Sequence, residues 1–258
     1  MRVMFGWRVG LLLGATTLLA QDCLMAQEVA FVTLAPKGVV QIREGSGRAR
    51  RRLSPCSTYK IPNAMIGLET GVIPSPDYVI RFDPAKHKTN GFWIDAWSKD
   101  LSLRDAFRLS AVWYFKDLAG RVGPANMKSF VDRFHYGNRD TSGWKDPFWI
   151  RSTLRISPVE QVEFLDRLFR NEFGLTQRNV DAVESFMKQE EKDGRGLYFK
   201  TGACTDPEAG PEVWLAGFVQ EPRGRTYFAI NFGGSDLNDL IARRMVIAKE
   251  RLAAAGLW

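Results

Sequence analysis

Histidine is scarce in this chain: its 258 residues include two, His87 and His135. A hydrolase with a histidine base would hold one of them beside a nucleophilic serine, but no G-x-S-x-G segment presents such a serine. A zinc hydrolase would need clustered histidine ligands, and neither H-x-H nor H-E-x-x-H occurs. Both histidines are therefore interpreted as surface or satisfied core residues, and no metal site is expected.

Long apolar runs are also missing beyond the N-terminus. Two arginines precede an uncharged stretch from Val9 to Ala20, and this polarity profile predicts a secretory signal peptide over residues 1–26, cleaved after Ala20 or Ala26. The stretch is short for a membrane span, and no later one is long enough. We therefore expect an exported protein, periplasmic or secreted, whose mature chain is a single domain over residues 27–258 without a membrane anchor.

Acidic residues are outnumbered: 36 Lys and Arg face 29 Asp and Glu, a net charge of +7 that becomes +6 without residues 1–26. The densest basic cluster, Arg48-Ala49-Arg50-Arg51-Arg52, is of a kind that can bind nucleic acid, but an exported protein rarely meets any. We interpret the cluster as a solvated turn. The positive balance favours anionic small substrates, and no nucleic-acid partner is expected.

Three short motifs follow one another along the chain: Ser57-Thr58-Tyr59-Lys60, Ser110-Ala111-Val112 and Lys200-Thr201-Gly202. The S-x-x-K pattern alone carries little information, because segments beginning at Ser142 and Ser185 also fit it. Ser57 differs in opening an apolar stretch that predicts a helix, and in being followed by the other two motifs. Sets of motifs are far more specific than single matches, so Ser57 is the candidate nucleophile.

Lysine is the candidate base for this serine. Residues three apart on a helix share a face, so Lys60 comes within hydrogen-bonding reach of Ser57. An ammonium with a pKa of about 10.4 is no base at neutral pH, so the side chain must be desolvated or modified. Val112, Phe115 and Trp149 supply apolar material for a dry pocket. There a neutral amine can add carbon dioxide and become an anionic carbamate, which can act as a base.

The remaining motif residues suit attack on an acyl group. The backbone N–H groups of Ser57 and Ala203 are candidate donors to an oxyanion. The segment Lys200-Thr201-Gly202 offers a cation and a hydroxyl to a substrate carboxylate. Ser110 is a candidate relay that carries a proton to the leaving nitrogen.

Export would leave two cysteines in an oxidising compartment, Cys56 directly before Ser57 and Cys204 shortly after Gly202. If the nucleophile and the K-T-G segment line one cleft, the two thiols are neighbours and form a disulfide that pins the nucleophile to that segment. Two buried free thiols are the alternative, which the sequence leaves open.

Strand-like runs at both ends enclose a mostly helical middle. Predicted strands cover residues 29–34, 39–43, 197–201, 213–220 and 225–231. Predicted helices include residues 103–118, 158–169 and 237–255. Such an order is best packed as an α+β fold: one antiparallel β-sheet built from both termini with flanking terminal helices, plus a helical lobe, and the active site in the cleft between them.

With these motifs the sequence resembles the class D, or oxacillinase-type, serine β-lactamases of the penicillin-recognising serine enzyme superfamily. The resemblance covers nearly the whole mature chain. Three further segments carry it: Tyr136-Gly137-Asn138, Phe148-Trp149 and Leu154-Arg155-Ile156-Ser157-Pro158. It implies the β-lactamase/transpeptidase-like fold, with one catalytic domain after the signal peptide, and hydrolysis of the β-lactam amide of penicillin-type antibiotics, which confers β-lactam resistance.

The resemblance also implies a role for each motif residue. Ser57 would be acylated, and Lys60, N-carboxylated by carbon dioxide or bicarbonate, would be the base for acylation and deacylation; no other cofactor is implied. Trp149 would donate its indole N–H to the carbamate. The other implied roles are shielding of the carbamate and binding of the substrate, by Val112, Phe115, Lys200, Thr201, Gly202, Ala203 and Arg243. Arg244 competes with Arg243 for the substrate carboxylate, because the register of the last helix is loose.

Two other functional classes stay open: a non-hydrolytic penicillin-binding sensor domain, and a peptidoglycan transpeptidase or carboxypeptidase. Sensors belong to membrane receptors with several spans, and cell-wall enzymes usually carry an anchor or extra domains; the sequence shows neither. The choice between monomer and homodimer is open as well. So is the substrate range, for which Trp97, Phe115 and Trp214 are aromatic candidates that equally suit a core.

Overall fold

Strands from both ends of the chain form one antiparallel sheet, as the sequence predicts. The computed structural model describes residues 28–87, 93–144, 147–150 and 153–258, so the predicted signal peptide lies outside the described residues. The strands are β1 (Ala30–Leu34), β2 (Val40–Glu44), β3 (Val79–Ile80), β4 (Leu101–Ser102), β5 (Lys188–Lys192), β6 (Arg195–Asp206), β7 (Gly210–Glu221) and β8 (Gly224–Gly233). Six of them pair in the order β2-β1-β8-β7-β6-β5, and β3 pairs with β4 apart from this sheet.

Helices cover both faces of the sheet and build a lobe beside it. They are α1 (Ser46–Arg50), α2 (Lys60–Glu69), α3 (Pro84–His87), α4 (Leu103–Arg108), α5 (Val112–Val122), α6 (Pro124–Arg133), α7 (Pro158–Phe169), α8 (Gln177–Met187) and α9 (Leu237–Ala254). On one face, Leu240, Ala248 and Leu252 of α9 pack with sheet residues such as Phe228 and Ile230. The opposite face joins the core of the helical lobe. Side chains on a strand alternate between the two faces, so both faces of β1 and of the central strands are apolar.

Helix α7 shows how local sequence fixes an element. Ser157 Oγ accepts a hydrogen bond from the Glu160 N–H at 3.2 Å, and Glu160 Oε2 accepts one from the Ser157 N–H at 2.9 Å. This capping box satisfies N–H groups that the first turn of a helix leaves free, and Pro158 has no N–H to satisfy. Because Val162 and Leu165 are buried one turn apart, the helix is held on the sheet. Its bounds match the predicted 158–169.

The predicted helix over residues 103–118 is wrong as a single element. The chain breaks between α4 and α5, where Ser110 has a φ of 56°. An L-residue adopts such left-handed backbone at a steric cost, so surrounding contacts must hold it there. The break turns Ser110 away from the helix axis and starts α5 at Val112.

The first part of the basic cluster at residues 48–52 belongs to a short helix, α1, which ends at Arg50; Arg50, Arg51 and Arg52 are exposed, as a solvated segment predicts, whereas Ala49 is buried. Arg48 contacts the central strands β7 and β8: its Nη2 is 3.4 Å from Glu212 Oε2, and its Nε donates to Asn231 Oδ1 at 2.5 Å. Arg52 instead pairs with Glu160 near the start of α7, at 2.6 Å. The cluster therefore ties β2, α7 and the sheet together.

One strand is longer than predicted, and another was not predicted as a strand. β6 continues to Asp206, so the K-T-G segment lies within a strand, and the charged run at β5 is an exposed edge strand instead of helix. Over the residues described, no helix combines the length and apolarity that a membrane crossing requires.

Candidate active site

A short 3-10 helix, Cys56–Tyr59, presents Ser57 at the start of α2. Pro55 O accepts hydrogen bonds from the Thr58 N–H at 3.1 Å and from Thr58 Oγ1 at 2.6 Å, which fixes the turn. Cys56 has a φ of 50°, so the backbone is left-handed directly before the serine. Ser57 is half-buried between fully buried neighbours, so its hydroxyl is accessible on an otherwise rigid segment.

Lys60 lies one turn later with its amine against the serine. Its Nζ is 2.6 Å from Ser57 Oγ, and the side chain is 0% exposed. Burial lowers the pKa of Lys60 to about 7, because a charged ammonium loses its hydration there. The Phe115 ring is one of the apolar groups around the amine, with its centroid 5.5 Å from Nζ. A substantial fraction of the amine is therefore neutral near pH 7 and can accept the Ser57 proton.

Trp149 belongs to the same hydrophobic cluster as Phe115, and Val112 at the start of α5 packs against this cluster. Its ring stacks on Tyr59, the residue before Lys60, with 5.4 Å between centroids. The indole Nε1 is buried and has no hydrogen-bond acceptor among the described residues. Leaving a buried donor unpaired is costly, so an anionic group carried by Lys60 fits this arrangement chemically.

The second and third motifs meet at Ser110 and Lys200. Lys200 Nζ donates to Ser110 Oγ at 3.0 Å and to Thr201 O at 2.9 Å. The pKa of Lys200 is well below its usual range, because of burial first and then the nearby charges of Lys60 and Arg244. The left-handed backbone at Ser110 is what aims its hydroxyl at this lysine.

Gly202 brings β6 against the segment before Ser57. A Cβ at Gly202 would lie 3.1 Å from Trp214 Cβ and 3.2 Å from Pro55 O, so a side chain would push the strand away. β5 covers the edge of β6 only as far as Tyr198, which leaves the part containing Thr201, Gly202 and Ala203 facing the nucleophile segment. Thr201 and Ala203 are half-buried there.

The predicted disulfide is present. Cys56 and Cys204 are bonded, with 5.6 Å between their Cα atoms and a sequence separation of 148. The alternative of two free thiols is thereby set aside. The bond links the residue before Ser57 to the strand that contains the K-T-G segment.

Arg243, the predicted ligand of a substrate carboxylate, does not reach this cleft. It is exposed on α9 and pairs with Asp239 at 2.5 Å. Arg244 reaches it instead: its Nη1 donates to Gly202 O at 3.2 Å, and its Nε has no acceptor within the described part of the chain. Burial lowers the pKa of Arg244 to about 10. Consecutive helix residues point about 100° apart, so an uncertainty of one residue in register exchanges the two arginines.

One polar network behind the nucleophile has no counterpart in the sequence analysis. Asp206 Oδ2 accepts hydrogen bonds from the Ser54 N–H at 2.9 Å and the Ser54 hydroxyl at 2.8 Å, and Arg155 Nη1 lies 3.1 Å away. Asp206 ends β6 and Ser54 precedes Ser57 by three residues. The sequence signals a turn at Asp206 but nothing that pairs it with Ser54.

The Tyr136-Gly137-Asn138 segment packs against the residues that precede α7. Gly137 has a φ of 54°, and a Cβ there would overlap Arg155 O. Asn138 Nδ2 donates to Thr153 O at 2.7 Å, and Asn138 Oδ1 accepts from the Arg155 N–H at 2.9 Å. The segment therefore holds the chain that leads into α7.

The three aromatic candidates for substrate range, Trp97, Phe115 and Trp214, are all buried in the core. Trp97 Nε1 donates to Leu109 O and Trp214 Nε1 to Ser54 O, both at 3.0 Å. These two side chains therefore support the loops that carry Ser110 and Ser57.

A hydroxyl beside a desolvated amine, with a second serine–lysine pair across the cleft, can carry out acyl transfer through serine. Comparison with known proteins points to the same class. Residues 38–249 match the family described as the penicillin binding protein transpeptidase domain. The chain is 37% identical over 204 residues to β-lactamase OXA-19 of Pseudomonas aeruginosa, covering 78% of this chain and 75% of that protein.

Two further comparisons narrow the class. The probable β-lactamase YbxI of Bacillus subtilis is 38% identical over 189 residues, covering 73% of this chain and 68% of that protein. The crystal structure of the class D β-lactamase YbXI from Nostoc superposes with a TM-score of 0.81 at 29% identity, covering 91% of this chain and 96% of that one. The chain accordingly belongs to the class D β-lactamases, and its α+β architecture is theirs.

Proposed function

We propose that this serine β-lactamase hydrolyses the amide of penicillin-type β-lactams through an acyl-enzyme on Ser57, with Lys60 as the general base. The observation that carries the proposal is the 2.6 Å separation of Lys60 Nζ and Ser57 Oγ, with the lysine fully buried. A serine hydroxyl is a weak nucleophile until a base within hydrogen-bonding reach removes its proton. A desolvated amine with a pKa of about 7 suits this task at neutral pH.

In the proposed acylation, the carbamate carried by Lys60 takes the Ser57 proton as Oγ attacks the β-lactam carbonyl carbon. The backbone N–H groups of Ser57 and Ala203 are the proposed donors to the resulting oxyanion. As the carbon–nitrogen bond breaks, the Ser110 hydroxyl gives a proton to the leaving nitrogen. Lys200, 3.0 Å from Ser110 Oγ, supports that transfer.

We also propose that Lys60 is N-carboxylated. A neutral amine reacts with carbon dioxide, and the carbamate would supply an anionic base for both acylation and the activation of water in deacylation. Trp149 Nε1, a buried donor without an acceptor in the described chain, is the proposed hydrogen-bond partner of that group. Val112 and Phe115 would keep water from it. Carbon-13 NMR with labelled bicarbonate that shows no carbamyl signal would contradict the modification.

The substrate carboxylate is proposed to bind at the edge of β6. Lys200 and Thr201 lie there, and Arg244 adds the guanidinium that Arg243 does not supply. Arg244 Nη1 and its unpartnered Nε present donors in the fork geometry that matches a carboxylate. An anionic β-lactam is therefore the substrate class that this cleft fits.

The test is turnover of a chromogenic penicillin-type β-lactam in the presence of bicarbonate, with mass spectrometry of the protein. The variants Ser57→Ala and Lys60→Ala are expected to lose turnover. Ser185→Ala and Lys188→Ala change the two exposed ends of another S-x-x-K segment of the same chain, and these matched controls are expected to retain turnover. A single burst with the drug retained on Ser57 would instead identify a sensor or cell-wall enzyme, and no acylation would contradict both.

Resistance and export follow as cellular proposals. Expression in a susceptible bacterium is expected to raise the minimal inhibitory concentration of a penicillin, and Ser57→Ala is expected to abolish that rise. N-terminal sequencing of the exported protein should find cleavage after Ala20 or Ala26. An unprocessed chain that stays inside the cell would contradict the signal-peptide prediction.

A further inference from the structure

A buried cluster with no part in the proposed reaction lies directly behind the nucleophile. Cys56, Cys204 and Glu212 are each buried, and their sulfur and carboxylate oxygen atoms lie within 4.8 Å of one another. Cys56 precedes Ser57, Cys204 lies on β6, and Glu212 is its register partner on β7. The cluster thus joins three segments at the back of the cleft.

Glu212 is the unexpected member, because a carboxylate is rarely buried without full pairing. Its side chain is 0% exposed. Arg48 Nη2 at 3.4 Å and Asn231 Nδ2 at 3.3 Å both approach Oε2, whereas Oε1 faces Cys56 Sγ at 4.0 Å. Burial, with the charge of Asp206, raises the pKa of Glu212 to about 8 against the opposing pull of Arg48. Oε1 is therefore directed at the two sulfur atoms.

We propose that, when the disulfide is reduced, Cys56, Cys204 and Glu212 bind a single Zn²⁺ ion. Thiolate and carboxylate oxygen are both zinc ligands, and three protein ligands leave a fourth tetrahedral position for water. Zinc–sulfur bonds of about 2.3 Å require the two sulfur atoms to separate, which reduction permits. The Cα atoms of the cysteines, 5.6 Å apart, are near enough for both to reach one ion.

Charge balance supports the assignment. Two thiolates and one carboxylate carry three negative charges, Zn²⁺ carries two positive charges, and Arg48 beside Glu212 carries one. The occupied site is therefore electrically neutral in a buried place, where an unbalanced charge would be costly. The soft thiolates also select zinc over Mg²⁺ and Ca²⁺, which prefer oxygen ligands.

Reduction needs an external reagent, and the proposal specifies a phosphine. The phosphine donates two electrons to the sulfur–sulfur bond, water supplies its oxygen and two protons, and the products are a phosphine oxide and two thiols. Binding of the metal then releases the two thiol protons, together with the proton of Glu212 wherever that carboxyl is protonated, so affinity rises with pH. Nothing else is oxidised or reduced.

The test uses the full chain, oxidised or reduced with a phosphine, and Co²⁺ as a spectroscopic probe for zinc. The reduced protein is expected to bind one equivalent of Co²⁺, with an intense thiolate-to-cobalt charge-transfer band and the visible bands of tetrahedral cobalt. One equivalent of Zn²⁺ should remove these bands. The oxidised protein should show none of them.

Variants assign the ligands. Cys56→Ser and Cys204→Ser are each expected to weaken the charge-transfer band strongly. Glu212→Gln is expected to reduce Co²⁺ affinity at least about tenfold, since changes even outside the ligand set cost that much. Glu221→Gln, the same change at the far end of β7, is the matched control and should bind as the parent does.

The cysteine variants keep the test decisive if Glu212→Gln fails to fold, because each keeps the buried Glu212–Arg48 pair. Near-ultraviolet circular dichroism reports whether the reduced chain keeps its packing. A reduced chain that loses this packing overturns the proposal. A folded one with two titratable thiols and no cobalt band, or with Glu212→Gln binding unchanged, overturns it as well.

Discussion

At the scale of single residues, the proposed mechanism makes the reactivity of Ser57 depend on the protonation of Lys60. Burial lowers the pKa of Lys60 from its ordinary value to about 7, so the amine is charged below that pH and neutral above it. We expect kcat/KM for a penicillin-type substrate to fall about tenfold per pH unit below about pH 7. A pH–rate profile with saturating bicarbonate measures this, and a flat profile between about pH 5.5 and 8 would rule out Lys60 as the titrating base.

The lowered pKa of Lys60 also makes the stability of the folded protein depend on pH. Between about pH 7 and the ordinary lysine pKa, the unfolded chain binds a proton at Lys60 that the folded chain does not. The free energy of unfolding therefore rises with pH in this window, and the penalty for burying the amine is fully present below about pH 7. The buried lysine therefore destabilises the fold most in the pH range where the proposed mechanism predicts low activity.

Arg244 and Arg243 form a natural pair for testing substrate binding. Loss of a charged hydrogen bond costs about 1.5–3 kcal/mol, so Arg244→Ala should lower kcat/KM for an anionic β-lactam by about 10- to 100-fold, mainly through KM. Arg243→Ala removes an exposed ion pair with Asp239 and should change little. Steady-state kinetics of the two variants checks this; equal effects, or a larger one at Arg243, would refute the assignment.

Contacts between residues of one local motif could be predicted from the sequence. Contacts between residues that are distant in sequence and meet only in the folded chain could not. The spacing of Ser57 and Lys60 follows from helix geometry, and the 2.6 Å contact agrees with it. The choice between Arg243 and Arg244 depends on how α9 is rotated against the sheet, which no local pattern sets. The pairing of Asp206 with Ser54 depends on two segments about 150 residues apart.

At the scale of elements, the segment that carries Ser57 is held at its front end by Asp206. Burial alone would raise the pKa of Asp206, but hydrogen bonds from the Glu208, Ser54 and Ala209 N–H groups and the Ser54 hydroxyl lower it to about 2. The stabilisation is complete above the ordinary aspartate pKa of about 3.9 and is lost as the pH falls towards 2.

Asp206→Asn should lower the free energy of unfolding by about 2–3 kcal/mol, because it removes the charge from these bonds and from Arg155. It should also slow acylation, because Ser54 positions the turn before Ser57. Urea denaturation and the acylation rate test the two effects. Glu208→Gln removes the exposed partner of the same arginine, 3.0 Å from Arg155 Nη2, and should cost less than about 1 kcal/mol. An Asp206→Asn variant as stable as Glu208→Gln would contradict this account.

The strongest elements were predictable and the break at Ser110 was not. α7 has a capping box and an apolar stripe, both readable from neighbouring residues. The chain from α4 to α5 contains no glycine or proline at the break, so its apolar spacing predicts one continuous helix. The left-handed Ser110 is held by tertiary contacts, among them the hydrogen bond from Lys200, 90 residues away. At functional sites, tertiary contacts can override the helix propensity of the local sequence.

At the scale of the whole molecule, the disulfide closes most of the chain into one loop. For a separation of 148 residues the loop-entropy model gives a stabilisation of about 5 kcal/mol at most. The double variant Cys56→Ser/Cys204→Ser should therefore unfold at a clearly lower guanidinium concentration than the oxidised parent. The chemically reduced parent, measured with a chelator present, is its control. An unchanged midpoint would show that the bond adds nothing to stability.

The architecture as a whole was predictable because its order along the chain is simple. Strand patterns at the two ends and helical patterns between them leave few compact arrangements, and the five predicted strands do pair in one antiparallel sheet. The additional short strands β3 and β4, and the edge strand β5, were missed. β5 is fully exposed and charged, so it has no apolar alternation that would mark it as a strand.

The position of β1 in the sheet bears on when this protein can fold. β1 pairs with β8, so Phe31 meets Ile230 and Ala30 meets Asn231. Until the last thirty or so residues of the chain have been made, the partner edge for β1 is incomplete and α9 is absent. A growing chain cannot close its sheet during synthesis, and pairing over such a distance is slow even afterwards. The complete sheet can therefore form only after β8 has been synthesised, which would leave the sheet open during the export that we propose.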